Sequence, residues 1–441
     1  MTAAWRWAVA ALALALCTAC SVASSRTEPP PAPVGRLMYQ VDAQHTGRSP
    51  YAGPRQLTLF RTFNVARIEI RDPVFASSDI QSSAAIDADG TAYIGLHSGT
   101  LFALRDPRDG NQLAARWSFH PPGGSSWHAT PAIGNDGTVY VGFSTNSSTP
   151  QSEGALYALR APESGMEPRV AWSVDLGPGR QTSSPTIGPD GTIYAVAGEG
   201  RLSAVDPGGR VRWTAQTGTV LKSSPALGPD GTVYVPSMNG KLYAVSPPRD
   251  PSVRSGQVKW VFRFDEYPGS GPAVTAPPPP AGADGVGTGA SPTIAPDGMV
   301  YIGANNSNLY AISPAGKLVW LFEAEREIAG IWSTAALSAD NRTLYFGANK
   351  GGIYAVDRAT GELSWQFRMV GSVYSSPALG RDGVLYTGST IGHLLAMDST
   401  TGRLVSDYDA GAPIWTAPAI RPDGTLLVAD RKGRVMLLGN G

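Results

Sequence analysis

The stretch Ser223-Ser-Pro-Ala-Leu-Gly-Pro-Asp-Gly-Thr-Val-Tyr234 decides the fold, because the chain repeats it, with changes, eight times. The copy at Ser183-Ser-Pro-Thr-Ile-Gly-Pro-Asp-Gly-Thr-Ile-Tyr194 is nearly identical to it. Repetition at a period of roughly forty residues marks an array of one supersecondary unit packed against copies of itself. Such arrays usually bind other molecules, so the repeat also indicates a binding function.

A turn dipeptide marks the centre of every copy. Asp-Gly or Asp-Asn suits a hairpin turn, because the central residues of such turns need positive φ angles. The eight pairs are Asp89-Gly90, Asp136-Gly137, Asp190-Gly191, Asp230-Gly231, Asp297-Gly298, Asp340-Asn341, Asp382-Gly383 and Asp423-Gly424. Each pair lies between two short apolar runs, so every repeat is predicted to begin with a β-hairpin.

Two further strands follow the hairpin in each repeat. After the second strand, Thr232 to Val235, come a glycine-bearing turn and the apolar run Leu242 to Val245. A polar turn then leads to a fourth strand with an aromatic pair, as in Val319-Trp-Leu-Phe322. Four strands per repeat are typical of a propeller blade.

A tryptophan recurs on the fourth strand, where a large flat side chain is expected to lie between adjacent blades. The tryptophans are Trp117, Trp172, Trp213, Trp260, Trp320 and Trp365. The seventh repeat has Ser406 and Tyr408 instead. We therefore expect that blade to seal less well against its neighbour.

The eighth repeat stops after its third strand, Arg434 to Leu438. An unpaired strand edge would invite association with other chains. The run Leu57 to Val65 has the pattern of a displaced fourth strand. The sequence therefore predicts an all-β, eight-bladed β-propeller of four-stranded antiparallel blades over residues 56–441, closed by the N-terminal strand, which completes the last blade.

The repeats resemble the pyrroloquinoline quinone (PQQ)-type β-propeller repeats of the quinoprotein alcohol dehydrogenase-like superfamily. The resemblance rests on the Ser-Pro-Ala-Ile-Gly-x-Asp-Gly-Thr-Val-Tyr phrase, the Gly-x-Leu-Tyr-Ala-Val-Asp run and the fourth-strand tryptophan, over about residues 56 to 438. One branch of this family comprises dehydrogenases that use PQQ and calcium on the propeller axis. The other comprises non-catalytic envelope propellers, including the lipoprotein of the outer-membrane barrel-assembly machinery.

The cysteines favour the non-catalytic branch. The dehydrogenase branch typically carries an adjacent cysteine pair over the quinone, and some members add a Cys-x-x-Cys-His haem site. The two cysteines of this chain are Cys17 and Cys20, so the repeats can form neither feature. The five histidines show no metal-ligand spacing. We predict no enzymatic activity, no cofactor and no metal site, with a PQQ-dependent dehydrogenase that uses calcium as the alternative.

The leader predicts export. Arg6, the apolar run Ala8 to Leu16 and the small residues before Cys20 have the form of a signal peptide over residues 1–19. The apolar run is too short to cross a bilayer. Thr-Ala-Cys-Ser resembles a bacterial lipoprotein cleavage site, which implies lipidation of Cys20, although Cys17 stands where leucine is expected. Cleavage after Ala23 would instead release a soluble periplasmic protein.

Two short segments precede the repeats. Residues 20–36 are rich in serine and proline and are predicted to form a tether that holds the domain off a membrane. Residues 37–55 form a leading segment, for which we expect a structural role with His45 to Gly47 under the closing blade. The chain has 35 lysines and arginines and 35 aspartates and glutamates. It therefore has no net positive charge that would attract nucleic acid.

The position three residues before each repeat's Pro or Ala is predicted to line the central mouth. Around the ring these residues are Gln81, His128, Thr182, Lys222, Gly289, Trp332, Tyr374 and Trp415. The loops between second and third strands add His97, Glu199, Asn239, Asn305, Asn308, Lys350, His393 and Arg431 to the same face. Trp127, Trp332, Tyr374 and Trp415, with His128 and Lys222 nearby, would suit a peptide, a glycan or a planar ligand. Alternatively, these side chains plug the axial channel.

These patterns together predict a non-enzymatic, exported scaffold of the bacterial cell envelope. We expect a monomeric domain that binds envelope proteins, contacts a membrane only through a lipid anchor at Cys20, and does not bind nucleic acid. Two alternatives remain: the PQQ-dependent dehydrogenase, and a receptor for a glycan or small ligand at the aromatic mouth.

Overall fold

The strands of the computed structural model form eight antiparallel sheets, which are the blades of a propeller. The structure describes residues 38–65, 79–107, 112–122, 124–125, 129–145, 153–179, 183–217, 223–267, 287–324 and 330–441. Within these ranges the helical content is one short 3-10 turn, Phe264–Glu266. No helix in the described part is long and apolar enough to cross a membrane. The predicted all-β, eight-bladed architecture is confirmed.

Each blade has four strands in the order of the sheet, from the axis outward. In blades 1 to 4 they are Ala85–Ile86, Ala92–Gly95, Leu101–Arg105 and Ala114–Phe119; Ala132–Ile133, Val139–Thr145, Glu153–Arg160 and Arg169–Pro178; Thr186–Ile187, Ile193–Val196, Arg201–Val205 and Val211–Gln216; and Ala226–Leu227, Val233–Ser237, Lys241–Ser246 and Gln257–Arg263. In blades 5 to 8 they are Thr293–Ile294, Val300–Gly303, Asn308–Ile312 and Leu318–Glu323; Ala336–Leu337, Thr343–Ala348, Gly352–Asp357 and Leu363–Phe367; Ala378–Leu379, Val384–Gly388, His393–Asp398 and Leu404–Asp409; and Ala419–Ile420, Leu426–Ala429, Arg434–Gly439 and Thr58–Asn64. Blade 2 also carries Gly124–Ser125 against its second strand.

The Asp-Gly pairs form the predicted hairpin turns because the aspartate closes each turn with its side chain. Asp230 accepts hydrogen bonds from the backbone N–H and the hydroxyl of Thr232 at 3.0 and 2.8 Å. Gly231 has a φ of +80°, which glycine adopts without a steric penalty. The hairpin folds the innermost strand onto a second strand, Val233–Ser237, which is buried along its whole length.

The N-terminal strand closes the ring as predicted. Thr58–Asn64 pairs antiparallel with Arg434–Gly439, from Thr58 opposite Gly439 to Asn64 opposite Arg434. The pairing gives blade 8 its fourth strand and joins the two ends of the repeat array. The closing strand therefore supplies the outer edge that the eighth repeat lacks.

Five of the six fourth-strand tryptophans lie against the turn between the third and fourth strands of the next blade. Four of them donate Nε1–H to a carbonyl of that turn: Trp172 to Pro207, Trp260 to Pro314, Trp320 to Arg358 and Trp365 to Ser399, at 2.9, 2.9, 3.0 and 2.9 Å. A glycine of the turn faces each indole, and a Cβ added to Gly402 would lie 2.6 Å from Trp365. Trp213 lies against Gly256 in the same way. Trp117 is 1% exposed, and its Nε1 has no hydrogen-bond partner among the described residues.

The two junctions without tryptophan are those that involve the closing strand. Blade 8 has no turn between its third and fourth strands, so a tryptophan on blade 7 would have nothing to dock on. Ser406 occupies that position, opposite Ala396, and accepts the N–H of Leu57 at 3.0 Å. On the closing strand, Arg61 occupies the position and forms a 2.8 Å ion pair with Asp106 of blade 1.

The leading segment lies across the axis, next to the Asp-Gly turns. The last residue of the innermost strand donates its N–H to this segment in four successive blades: Leu227 to Ala43, Ile294 to Gln44, Leu337 to Thr46 and Leu379 to Gly47, at 2.8, 2.9, 2.9 and 2.8 Å. His45 to Gly47 therefore lie under blades 5 to 7 and not under blade 8. The reason is that carbonyls of the segment accept hydrogen bonds from N–H groups on the innermost strands of blades 4 to 7.

Candidate functional site: the central mouth

A ring of hydrogen bonds joins the blades around the axis and fixes the residues of the mouth. The serine or threonine before each repeat's Pro or Ala accepts the backbone N–H of its equivalent in the preceding blade. The bonds run from Ala417 to Ser83, Ser83 to Thr130, Thr130 to Ser184, Ser184 to Ser224, Ser224 to Ser291, Ser291 to Thr334 and Thr334 to Ser376, at 2.8 to 3.1 Å. Blade 8 has Ala417 at this position, so the N–H of Ser376 has no hydroxyl to meet.

Beside this ring the axis contains a cavity of about 330 Å³. Its wall includes predicted mouth residues from five blades: Gln81, Gly289, Trp332, Tyr374 and Trp415. Tyr39 of the leading segment also lines it. The described mouth side chains therefore surround an open space.

The three aromatic residues form a continuous arc over blades 6 to 8. The ring centroids of Trp332 and Tyr374 are 4.8 Å apart with the planes stacked at 26°. Tyr374 and Trp415 are 5.1 Å apart and meet edge to face. Trp332 Nε1 donates to Asn305 Oδ1 at 2.8 Å, whereas Trp415 Nε1 has no partner among the described residues. All three rings are half-buried, so they offer a flat surface on which another apolar group can stack.

A cation completes the arc at the junction of blades 8 and 1. The Arg431 guanidinium lies 3.9 Å from the ring centroid of Trp415, within the range of a cation–π contact. Arg431 Nε also donates to Asp79 at 2.9 Å, and Gln81 Nε2 donates to the same carboxylate at 2.6 Å. Burial raises the pKa of Asp79, but the hydrogen bonds from Arg431 and Gln81 outweigh it and hold the pKa below its usual range.

Tyr39 brings the leading segment into the site. Its hydroxyl lies 3.1 Å from Thr334 Oγ1 and 3.0 Å from Ser376 Oγ, both members of the hydrogen-bonded ring. Burial raises the pKa of Tyr39, so the phenol stays protonated. His45 packs edge-on against Tyr39 at 5.4 Å, and burial lowers the pKa of His45 to about 4.

The structure places some of the predicted site residues and not others. Trp332, Tyr374 and Trp415 come together, and Asn305 and Arg431 reach them from the predicted loops. Trp127, His128, Thr182 and Lys222 lie outside the described residues, as does Cys20. Tyr39 and Asp79 were not predicted as site residues, because they lie outside the repeats. A lone tyrosine and a lone aspartate give no periodic signal.

The described lining does not fit a calcium–PQQ pair. Calcium takes six to eight oxygen ligands, usually with several carboxylates among them. The lining supplies hydroxyls, the Gln81 amide and aromatic rings, and the carboxylate of Asp79 is already bound by Arg431. No group of three His, Cys, Asp or Glu side chains in the described ranges could hold a metal ion. PQQ carries several carboxylates, which would need a cation to bind them. Arg431 is the cation beside the aromatic arc, and it already donates to Asp79.

A family model described as outer membrane protein assembly factor BamB matches residues 152–320, 198–372 and 349–439. Together these matches run from residue 152 to 439, about two thirds of the chain. No curated protein sequence matches the chain.

Solved structures share the architecture at low identity. BamB from Moraxella catarrhalis has a TM-score of 0.61 at 16% identity, over 87% of this chain and 99% of that one. The quinohemoprotein alcohol dehydrogenase from Comamonas testosteroni has a TM-score of 0.66 at 13% identity, over 92% and 81%. A europium-containing methanol dehydrogenase has 0.63 at 14%, over 90% and 89%. These similarities show a shared fold.

Proposed function

This chain belongs to the family described as outer membrane protein assembly factor BamB, and from that premise we propose that it is a non-enzymatic scaffold of the bacterial cell envelope. It is exported, anchored through a lipid on Cys20, and binds other envelope proteins through the face that carries the mouth. One observation carries the proposal: this face exposes aliphatic and aromatic side chains beside one another, while the charged residues Arg431 and Asp79 are paired at its rim.

The aliphatic part of the face lies between blades 6 and 7. Val370 is 80% exposed and Ile391 is 46% exposed. The two are held close together, because a Cβ on Gly371 would lie 2.9 Å from Ile391 and the N–H of Ser372 donates to Thr390 Oγ1 at 2.9 Å. Tyr374 of the aromatic arc follows two residues later. Exposed apolar groups next to aromatic rings are typical of protein-binding surfaces.

Site-specific crosslinking tests this proposal. A photoreactive residue in place of Val370 should give discrete products with envelope proteins in living cells. The matched control is the same residue in place of Ser164, which is exposed beside the Asp-Gly turns, and it should give none of these products. The Trp332→Ala Tyr374→Ala variant should reduce crosslinking from position 370. Crosslinking that is equal from both positions, or absent from position 370, would refute binding at this face.

A second function is favoured by the cavity itself. A volume of about 330 Å³ beside stacked Trp332 and Tyr374 has the size and the flat apolar wall of a small-ligand site. In this candidate function a glycan or a planar ligand stacks on the aromatic arc. A glycan screen with tryptophan fluorescence tests this candidate. Trp332→Ala with Trp415→Ala should abolish any binding, and binding that survives in this variant would place the ligand elsewhere.

The dehydrogenase alternative has a separate test. We expect no saturable change in tryptophan fluorescence when PQQ and calcium are titrated into the protein, and no dye-linked oxidation of alcohols. Micromolar binding with turnover would make the protein an enzyme and remove the scaffold proposal.

A further inference from the structure

A second cavity, of about 60 Å³, lies between the leading segment and the innermost strands of blades 1, 7 and 8. Tyr39, Ser83 and Ala417 line both this lower cavity and the cavity at the mouth, so the two cavities adjoin. Ala417 occupies the position at which the other blades supply a hydroxyl to the hydrogen-bonded ring. The ring is therefore incomplete where the two cavities meet.

Gln40 of the leading segment brings an unpaired amide to the lower cavity. The residue is 6% exposed, and neither its Nε2 nor its Oε1 has a hydrogen-bond partner among the described residues. The hydroxyl of Tyr39 lies close to this amide but is already bonded to Thr334 and Ser376. A buried amide without partners is unfavourable. The wall therefore holds a donor and an acceptor that a bound group can use.

The backbone at this point has an unusual conformation. Gln40 and Val41 have φ angles of +54° and +77°. Such angles are uncommon for residues other than glycine, and a β-branched residue such as valine adopts them least readily. Residues held in this way cluster at sites that bind ligands. The strain therefore lies at the same wall as the unpaired amide.

Two backbone N–H groups also face the lower cavity. In blades 4 to 7, the last residue of the innermost strand donates its N–H to a carbonyl of the leading segment. The equivalent residues of blades 1 and 8 are Ile86 and Ile420, which line the lower cavity and have the same strand register. Both are buried, and neither N–H has an acceptor among the described residues. Buried N–H groups are almost always paired, so these two lack the amide carbonyl that the other blades receive.

The remaining wall of the lower cavity is apolar, and the space is small. Side chains on this wall include Met38, Val41, Ala85, Ala378 and Ala419. A volume of about 60 Å³ is the share of about two water molecules in the liquid. The cavity therefore admits a group of a few heavy atoms and not a whole ring. Two N–H donors, an amide and an apolar wall match an acetamido group, which has a carbonyl, an N–H and a methyl.

We propose that the two adjoining cavities together bind an N-acetylated sugar, with its pyranose ring on the aromatic arc and its acetamido group in the lower cavity. The proposal rests on the second candidate function, a glycan at the mouth, and names the class of sugar. The acetamido carbonyl accepts from the N–H groups of Ile86 and Ile420, and the acetamido N–H donates to Gln40 Oε1. Trp415 of the arc precedes Ala417 by two residues, so a sugar on the arc lies beside the gap in the ring.

Paired titrations of the full chain, followed by tryptophan fluorescence, test the proposal. The ligands are N,N′-diacetylchitobiose and cellobiose, which has a hydroxyl in place of each acetamido group. We expect the acetylated sugar to bind about tenfold more tightly, because cellobiose leaves the buried N–H groups unpaired. Gln40→Leu should remove most of this preference and leave the affinity for cellobiose unchanged. Gln257→Leu, exposed on blade 4 and absent from both cavities, is the matched control and should change neither affinity.

Saturation-transfer NMR with the unaltered protein gives a test that does not depend on the folding of a variant. The acetyl methyl protons of the sugar should receive the strongest saturation, because the methyl is the most enclosed part of the ligand. In Ala417→Val this signal should fall, because two added methyl groups narrow the gap between the cavities. Saturation that is strongest at the ring protons would place the acetamido group outside the lower cavity and overturn the proposal.

The titrations separate failure of this proposal from failure of the glycan function. Equal affinities for the two sugars, both lost in Trp332→Ala Trp415→Ala, would overturn the acetamido site and leave a glycan site at the mouth. A preference for the acetylated sugar that Gln40→Leu does not reduce would also overturn the acetamido site. Absence of binding by either sugar would overturn both, while the scaffold proposal has its own test in crosslinking from position 370.

Discussion

The backbone N–H of Ser376 faces Ala417 in the next blade, where the other seven junctions of the ring provide a hydroxyl. The hydroxyl ring therefore lacks one hydrogen bond at the junction of blades 7 and 8. The same junction has Ser406 in place of tryptophan. Two independent contacts are therefore missing at one place in the ring.

Ala417→Ser should complete the ring. A hydroxyl at this position can accept the N–H of Ser376, and a net gain of about 1 kcal/mol in the free energy of unfolding is expected. Urea denaturation of the two proteins measures it. Ser224→Ala is the control in the opposite direction, because it removes the acceptor of the Ser184 N–H and should lose about 1 kcal/mol. A destabilised Ala417→Ser protein would show that the site has no room for the hydroxyl.

Arg431→Met should destabilise the protein in a pH-dependent way. The pair with Asp79 is partly exposed, so we expect a loss of about 1 kcal/mol at pH 7. The folded pKa of Asp79 lies below its unfolded value. The contribution of the pair is therefore full above about pH 3.9 and is lost as the pH falls through the lower folded pKa. Urea denaturation at pH 7 and near pH 2 checks this expectation, and an equal loss at both values would contradict it.

His45 should make the fold sensitive to mild acid. Its folded pKa of about 4 lies below the unfolded value of 6.5, so the unfolded chain takes up the proton first as the pH falls. Stability should decline between these values, by about 2 kcal/mol from pH 7 to pH 5. His45→Asn should remove this part of the slope. If the variant and the parent share one pH profile in unfolding experiments, His45 does not titrate in this way.

Trp365→Phe and Trp117→Phe should differ although both replace an inter-blade tryptophan. The first removes a hydrogen bond and leaves Ser399 O without its donor, at a cost of about 1 to 2 kcal/mol beyond lost packing. The second removes a buried N–H that has no partner in the described part of the chain, so only the packing loss applies. Thermal and urea unfolding of both variants measure the difference, and equal losses would mean that the hydrogen bond adds nothing.

The fold could be predicted because its information is local and repeated. Each turn pair specifies its own hairpin, and eight copies at one period leave a ring as the simplest arrangement. The closing strand followed from a missing fourth strand at one end of the chain and an extra one at the other. Mouth residues such as Trp332 and Trp415 were found in the same way, because equivalent repeat positions occupy equivalent places around an axis.

The rest of the site depends on segments that do not repeat. Tyr39 lines the cavity because the carbonyls of Ala43 to Gly47 pair with the inner edges of blades 4 to 7. Asp79 reaches Arg431 across the junction between the first and last blades. Tyr39 and Thr334 are 295 positions apart and Asp79 and Arg431 are 352 apart, and no local pattern encodes such contacts.

The pairing of Thr58–Asn64 with Arg434–Gly439 also determines when the ring can close during synthesis of the chain. The closing strand is synthesised before the eight repeats, and its partner belongs to the eighth repeat. During this interval Leu59 and Phe60, which remain partly exposed even in the closed ring, have no strand beside them. The nascent chain must carry this unpaired strand until Arg434–Gly439 has been made, so the ring cannot close before the eighth repeat is synthesised.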